Sequence, residues 1–451
     1  MLKGFLKRFS EERPVTHKKI KPTIIPRSEH SISRNDISRN ALKVLYRLDG
    51  AGFGAYLVGG CVRDLLFGRR PKDYDIATNA LPEEVRKLFK NSRLIGKRFR
   101  LAHIVFGKEI IEVATFRTHH ESASEAHGKS SHQGMIMRDN VYGDIEDDVW
   151  RRDFTINALY YNIADFSVVD YTGGMADIKS KTLRMIGNPE QRFHEDPVRL
   201  LRAARFVGKL QIQISPETEQ SLMQMSHLLQ HVSHARLFQE TLKLFQEGAL
   251  LATFKLLEKY NFLSALFPQT VDCLTQPEAR KLLEEALSAT DQRILDGKSV
   301  SPAFLLAALL WFPILKQTQR FQAENLPPYV ALERALQHVI KLQTQQLAIP
   351  RIMTTTIREL CVLQYHFNHC YGSKPYRILE HPRFRAAYDL LVLRSIAGEP
   401  VSELAKWWTD FQEADHVQRE KLLKTTAPAR PKKRSRPRRF IKKRNPATPT
   451  A

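Results

Sequence analysis

Tyr56-Leu-Val-Gly-Gly-Cys-Val-Arg-Asp-Leu-Leu-Phe-Gly68, followed closely by Lys72-Asp-Tyr-Asp-Ile76, is the stretch that decides the fold. The apolar run Ala55 to Val58 reads as a short strand, Gly59 and Gly60 as a tight turn, Arg63 and Asp64 as the start of a helix, and Asp73 to Ile76 as a second strand. Side chains two apart on a strand share a face, so Asp73 and Asp75 project together while Tyr74 and Ile76 point to the core. Two carboxylates on one face suit a hard cation, and Mg²⁺ commonly binds through one or two carboxylates plus the phosphates of a substrate. The missing side chains at Gly59 and Gly60 let backbone N–H groups approach such a phosphate, and Arg63 adds positive charge. Taken singly, Gly-Gly is only a tight turn and Asp-x-Asp only a solvated strand end. Joined at this spacing they are far more specific.

Outward from this stretch, Ile37, Ala41, Val44, Leu45 and Leu48 fall at helical spacing and stop at Gly50, a residue suited to the left-handed turn that ends helices. Further strands are expected at His103 to Phe106, Ile110 to Thr115, Val168 to Tyr171 and Leu183 to Ile186, with a helix opening at Pro82 whose first turn carries Glu83 and Glu84. After Asp196 the period is helical up to about Glu420. The expected class is α+β: a head with a mixed sheet, a mostly helical neck and body, and a basic tail. The boundaries read as a loosely ordered basic extension at 1–36, a head at 37–187, a neck at 188–250, a helical body at 251–424 and a disordered Lys/Arg-rich tail at 425–451.

The chain of 451 residues carries 70 Lys plus Arg against 48 Asp plus Glu, a net charge of +22 that points to an anionic polymer as partner. Ten of the positive charges lie between Arg430 and Arg444 with no acidic residue, among them Arg430, Lys432, Lys433, Arg434, Arg436, Arg438 and Arg439, so the tail is a candidate RNA-binding segment. A solvated extension or a membrane-surface anchor is its alternative reading. The four cysteines, Cys61, Cys273, Cys361 and Cys370, lack CxxC spacing and argue against a disulfide framework or a zinc knuckle. The most apolar run, Ala303 to Phe312, meets Pro313 at about half the roughly 20 residues of a membrane span, and it reads as a buried helix. No export signal is recognised at Met1 to Ser10, and a cytoplasmic location without integral membrane contact is expected.

Two further segments carry polar residues in a pattern. In Arg151-Arg-Asp-Phe-Thr-Ile-Asn-Ala158, a helix would bring Asp153 and Asn157 to one side with Arg152 beside them, a polar row suited to ribose hydroxyls and phosphates. In Glu195-Asp-Pro-Val-Arg-Leu-Leu-Arg-Ala-Ala-Arg-Phe206, Asp196 caps a helix with Pro197 at its first position, and Arg199, Arg202 and Arg205 recur along one broad side. A capped helix with a surface arginine stripe is the plainer reading of the second segment. Glu112, on the strand Ile110 to Thr115, is a further acid that could stand near the cation or simply pair with an arginine.

These motifs, over roughly residues 40 to 250, resemble the class II nucleotidyltransferases of the polymerase-β superfamily, which comprise bacterial poly(A) polymerases and CCA-adding tRNA nucleotidyltransferases. The resemblance implies that Asp153 is counted with Asp73 and Asp75 as an active-site acid, that Asp73 and Asp75 hold Mg²⁺, with Mn²⁺ as the alternative, and that ATP and RNA 3′ ends are the substrates. It also implies nucleotide-binding roles for Gly59, Gly60, Arg63, Asp64, Arg152, Asn157, Asp196, Arg199, Arg202 and Arg205. An Asp accepts the adenine amino protons and an Arg donates to a ring nitrogen, so the helix after Asp196 is where the base would be selected. Whether Asp153 or Glu112 is the third acid nearest the metals stays open.

Leu94-Ile-Gly-Lys-Arg-Phe-Arg-Leu-Ala-His-Ile104, the region of His381 to Leu391, Lys406-Trp-Trp408 and the basic tail are similar to the poly(A) polymerase branch, with CCA addition as the alternative. The expected reaction is template-independent attack of an RNA 3′-hydroxyl on the α-phosphate of ATP with two metals at the site. A non-catalytic RNA-binding protein on the same fold is the third reading, against which the intact Asp73, Asp75 and Gly-Gly turn speak. The histidines of Thr118 to His132 read as a loop beside the site and not as a metal centre.

Overall fold

A computed structural model of the chain describes residues 21–96, 100–118 and 142–426. Its sheet has eight strands: β1 (Thr23–Ile25), β2 (Ala55–Val58), β3 (Asp75–Thr78), β4 (Ser92–Ile95), β5 (Leu101–Phe106), β6 (Glu109–Thr115), β7 (Leu159–Asn162) and β8 (Val168–Asp170). They lie in the order β1-β8-β7-β2-β3-β6-β5-β4. Only β3 and β6 run parallel, with Asp75 opposite Glu112 and Thr78 opposite Thr115; the other neighbours are antiparallel. The sheet is therefore mixed, as the sequence leads one to expect.

Both faces of its centre are covered. Leu57, Ile76, Leu159 and Tyr161 point into the large core that continues through the helical part of the chain, while their neighbours Val58, Ala77 and Tyr160 join Val169, Phe116, Val149, Ala158 and Ile186 in a smaller cluster on the opposite face. That alternation is the period-two signature of strands, and it fixes the register, because a slip by one residue would exchange the two cores.

The expectation of a loosely ordered extension up to residue 36 fails from Lys21 onward. Thr23–Ile25 pairs antiparallel with Val168–Asp170, and short turns at Arg27–Glu29 and Arg34–Asp36 lead into the first helix. Pairing satisfies the backbone groups that the edge strand β8 would otherwise present to solvent. Three residues are too few for a period to register in the sequence.

Helix α1 (Arg39–Asp49) is capped by the Ser38 hydroxyl, which accepts from Asn40 and Ala41 N–H, and it buries Ala41, Val44, Leu45 and Leu48. It ends at Gly50, but Gly50 stays right-handed with φ −64°, and Gly52, at φ +83°, is the residue that takes the left-handed turn. Helices α2 (Gly60–Leu66), α3 (Pro82–Leu88) and α4 (Ile145–Trp150) complete the head. The strand expected at Leu183 to Ile186 is reduced to Thr182–Leu183, paired parallel with Gln213–Ile214 in a small second sheet.

The rest is helical. The principal helices are α5 (Pro189–Glu195), α6 (Val198–Leu210), α7 (His234–Leu244), α8 (Leu250–Lys259), α9 (Pro277–Leu295), α10 (Pro302–Ala323), α11 (Pro328–Leu347), α12 (Arg351–His366), α13 (Phe384–Ala397) and α14 (Ser402–Glu413). The apolar run before Pro313 is buried, and α10 runs straight through that proline. No helix among the described residues is long and apolar enough to cross a membrane. Two buried clusters tie the body together. Arg394 donates to both oxygens of Glu399, which also accepts from Trp311 Nε1 at 2.8 Å; Trp408 Nε1 donates to the Phe367 carbonyl at 3.0 Å.

The candidate active site

Two clefts meet at the Asp-Tyr-Asp segment. Asp75 begins β3, whereas Asp73 lies in the bend just before it, so the strand is two residues shorter at this end than the sequence implies. Tyr74 between them is buried, and its hydroxyl donates to the Asp36 carbonyl at 2.8 Å. That bond fixes the bend and turns the flanking carboxylates outward. Asp75 lines a cleft of about 430 Å³ with Gly59, Gly60, Arg63, Arg152 and Arg202, while Asp73 lines a separate, larger one.

The tip of Asp75 is open to its cleft, yet protein crowds it. Burial, then the nearby Glu112 carboxylate, with Asp73 adding a smaller share, pushes its pKa up to about 6, against the opposing pull of Arg152. Glu112 faces it across the parallel β3–β6 pair and stands 3.4 Å from His103 Nε2 on the other side. Neither Asp73 nor Asp75 has an ion-pair partner among the described residues. A group of carboxylates without a matching cation raises the pKa of its members, and a bound divalent cation would relieve that strain. No three potential ligands among the described residues converge as a ready-made metal cage. The donor set thus fits a cation that takes two carboxylates and completes its shell with phosphate oxygens.

Behind the acids stands an arginine framework. Gly59 has φ +76° and ψ −133°, a conformation open to glycine, and a Cβ there would approach Arg152 Nη1 to 3.5 Å. Arg152 is held by Asp148, at 2.7 Å from Nη2, and by the Tyr160 hydroxyl, at 2.7 Å from Nε. Burial by itself would ease its proton off; Tyr160 and Asp148 outweigh that and hold it charged. Arg63 is buried and donates to Asn157 Oδ1 at 2.8 Å and to Asp64 Oδ1. Asp64 does not line the cleft; it braces Arg63 and lies 4.0 Å from Lys209.

Asp153 and Asn157 are together, but not on a helix. Asn157 ends a short turn, Thr155–Asn157, anchored by buried Phe154 and Ile156, and its Nδ2 donates to Asp153 Oδ1 at 3.1 Å. The other Asp153 oxygen accepts from Arg202 Nε at 2.7 Å. Burial would raise this carboxyl, but the Arg202 charge and the bonds from Asn157, Arg202 and the Phe154 amide hold it well below the usual carboxylate range. Asp153 is therefore spoken for by Arg202, whereas Glu112 is the acid that influences Asp75.

Helix α6 supplies the opposite wall. Arg63, Arg202 and Arg205 set their guanidinium groups 4.9, 5.3 and 4.8 Å from the centre of the Phe206 ring, so one aromatic ring gathers three cations. Arg205 is paired with Glu247. Arg199 is buried and donates to the Arg192 carbonyl and to Glu195. Asp196 lines the cleft too, with its Oδ2 held at 2.7 Å by Arg236 of α7, a partner forty residues away that the sequence did not suggest. In all, the cleft is lined by seven basic residues, including Arg151 and Lys209, against the acids Asp75, Asp153, Asp196 and Glu247. Such an imbalance suits a polyanion of small size. The basic tail, from Arg430 to Arg439, and the loop histidines His119 to His132 lie outside the described residues.

Comparison with known proteins agrees with this architecture. A family described as "Poly A polymerase head domain" matches residues 55–184, "Probable RNA and SrmB- binding site of polymerase A" matches 211–274, and "Polymerase A arginine-rich C-terminus" matches 324–440. Poly(A) polymerase I of Salmonella typhimurium is 47% identical over 432 residues, which is 94% of this chain and 93% of that protein. A CCA-adding enzyme of Lactobacillus helveticus is 39% identical over 209 residues, only 46% of this chain and 50% of its own length. Among solved structures, the Bacillus stearothermophilus CCA-adding enzyme in complex with CTP shares the fold, with a TM-score of 0.56 and 24% identity over 82% of this chain and 80% of that one. In sequence the likeness to that CCA-adding enzyme covers less than half of the chain, whereas the likeness to poly(A) polymerase I covers nearly all of it, and by that measure this chain belongs to the bacterial poly(A) polymerase I family of template-independent nucleotidyltransferases.

Proposed function

We propose that the enzyme extends RNA 3′ ends with AMP from ATP by holding Mg²⁺, with Mn²⁺ as a substitute, on Asp73 and Asp75, with Glu112 as the third acid beside them. One observation carries this reading: the two aspartates lie where an arginine-lined cleft of about 430 Å³ meets a second cleft, with no protein cation paired to either carboxylate among the described residues. When bound, the cations supply charge neutralisation at the triphosphate and a lowered pKa at the attacking hydroxyl. The chain's own residues do the rest. Arg63, Arg152 and Arg202 bind the triphosphate beside the Gly59-Gly60 turn; Asn157 and Asp153 hold Arg63 and Arg202 in position. Asp196 accepts from the adenine amino group, and Arg199 shapes the base site from behind.

The acceptor hydroxyl attacks the α-phosphorus in line, pyrophosphate leaves, and no covalent enzyme intermediate is needed. Residues 37–187 would act as the catalytic head, 188–250 as the nucleotide-selecting neck and 251–424 as the helical body. The tail, with Arg430, Lys432, Lys433, Arg434, Arg436, Arg438 and Arg439, would hold RNA through its phosphates. A cytoplasmic setting suits the four free cysteines, of which Cys61, Cys273 and Cys361 are buried.

Incubating the purified protein with Mg²⁺, a generic RNA and each nucleoside triphosphate in turn tests this. A ladder of many additions with ATP, and little with CTP, is expected. Extension by CTP that stops after a fixed number of additions would overturn it in favour of CCA addition.

A further inference from the structure

The cleft on the Asp73 side is not used by the nucleotide in the reading above. It measures about 1280 Å³, more than the roughly 300–1,000 Å³ of a site for a drug-sized ligand. Its walls come from three places: the segment Ser31 to Arg39, the turn Gly68 to Lys72, and the β5–β6 hairpin at His103, Lys108, Glu109, Ile110 and Glu112. The first wall lies upstream of the part of the chain that the head family matches, which begins at residue 55.

Its charges are arranged for an anion chain. Arg39, Arg69, Arg70, Lys72 and Lys108 are all exposed along it. Arg69 and Lys72 brace the turn, donating to the carbonyls of Lys209 and Gln246. Arg39, Arg70 and Lys108 have no carboxylate partner among the described residues. Four acids share these walls, Asp36, Asp73, Glu109 and Glu112: Glu109 accepts from the Ser38 hydroxyl and from Asn40 Nδ2, Glu112 stands beside His103, and Asp73 lies at the end next to the other cleft, so five cations outnumber them. Ile110 adds an exposed apolar side chain on which a base can rest.

We infer that this cleft is the acceptor-strand site, in which the last nucleotides of the RNA 3′ end lie with their phosphates on Arg39, Arg70 and Lys108 and the terminal hydroxyl at Asp73. The inference rests on the triphosphate occupying the arginine-lined cleft. In-line transfer puts the entering oxygen and the departing pyrophosphate on opposite sides of the phosphorus. With the triphosphate on the Asp75 side, the strand that supplies the hydroxyl enters from the Asp73 side. The Tyr74–Asp36 bond makes the upstream segment part of this wall and ties its position to the aspartates themselves. No bases are read here, as expected of a site that accepts unrelated sequences, because backbone phosphates are the contacts.

The test uses the full chain with Arg39→Ala, Arg70→Ala and Lys108→Ala combined, a six-nucleotide oligo(A) acceptor, and equilibrium binding of ATP. The expected result is a KM for the oligonucleotide raised tenfold or more, a salt dependence of its binding flattened by about two in log–log slope, from about 0.7 per phosphate contact, and unchanged ATP affinity. Unchanged acceptor KM and slope would overturn the inference. Loss of ATP affinity with acceptor binding intact would overturn it as well, and would show that the triphosphate was assigned to the wrong cleft. Should the triple variant misfold, crosslinking of the unaltered enzyme to an acceptor ending in 4-thiouridine decides: adducts within residues 31–39 or 68–72 support the site, and adducts confined to other segments refute it.

Discussion

Asp75 and Glu112 occupy opposed positions on the parallel strands β3 and β6, two carboxylates in register at the mouth of the same site. If Asp73 and Asp75 hold the cation as proposed, replacing either by Asn should lower the rate of AMP addition at least about a thousandfold, since the charge is lost where the reaction needs it. Glu112→Gln should cost less, about tenfold to a hundredfold, because an outer carboxylate tunes the site without being its main anchor. Thermal unfolding should show all three variants folded. Full activity in Glu112→Gln would reduce that residue to a structural partner of His103.

The Asp153–Arg202 pair makes a prediction about acid stability. The folded carboxyl is held below its ordinary range, so the stabilisation it contributes is complete above its unfolded pKa of about 4 and disappears as pH falls below that value. Asp148, held low by Arg152 and Arg151 against its burial, acts in the same direction. Unfolding temperature measured from pH 7 down to pH 3 should therefore fall less steeply in Asp153→Asn than in the unaltered protein. Arg202→Met, which strands the buried carboxylate, should be the more damaging change, about 3–5 kcal/mol near neutrality. Equal stability of Arg202→Met and the unaltered chain would mean that Asp153 has another partner.

Arg236 holds Asp196 from the neighbouring helix. If Asp196 reads the adenine amino group, Arg236→Ala should loosen that carboxylate and reduce the preference for ATP over CTP about tenfold, with RNA affinity little changed. Competition between the two nucleotides on one RNA gives the number. A uniform loss of rate with preference intact would make the ion pair a plain link between α6 and α7.

Deleting the residues after Pro428 removes ten positive charges and no acidic residue between Arg430 and Arg444. The truncated enzyme should bind generic single-stranded RNA more weakly, with a flatter salt dependence, and make shorter products, while single additions to saturating short RNA survive. Identical salt slopes and product lengths would assign the tail to another surface.

Much of the site was legible in the sequence because its parts are local. The Gly59-Gly60 turn, the Asp73-Tyr-Asp75 bend and the arginine helix from Val198 each lie within a few residues, and the short-range rules for turns and helices reach that far. What was left open or missed depends on long-range pairing. The proximity of Glu112 to Asp75 needs the β3–β6 register, Arg236 reaches Asp196 from another helix, and β1 exists only because β8 offers it an edge. The helix expected around Asp153 failed for a different reason. The Thr155 N–H donates to the Arg184 carbonyl and the Asp153 carbonyl accepts from the Ile186 N–H, so the backbone pairs with a distant segment where a helix would bond to itself, and only a short turn follows.

The three guanidinium groups around Phe206 have a thermodynamic meaning besides a chemical one. Each is held by a carboxylate, Arg63 by Asp64, Arg202 by Asp153 and Arg205 by Glu247, and only the folded chain gathers them at one ring, so a polyanion that enters the arginine-lined cleft binds the native state alone. The substrate then acts as a stabiliser of the native state, by an amount set by its concentration relative to its dissociation constant. Melting temperature should climb with added ATP and fall back in high salt. A cell that runs short of ATP would then hold this enzyme in its less stable form, joining the lifetime of the protein to the supply of the molecule it consumes.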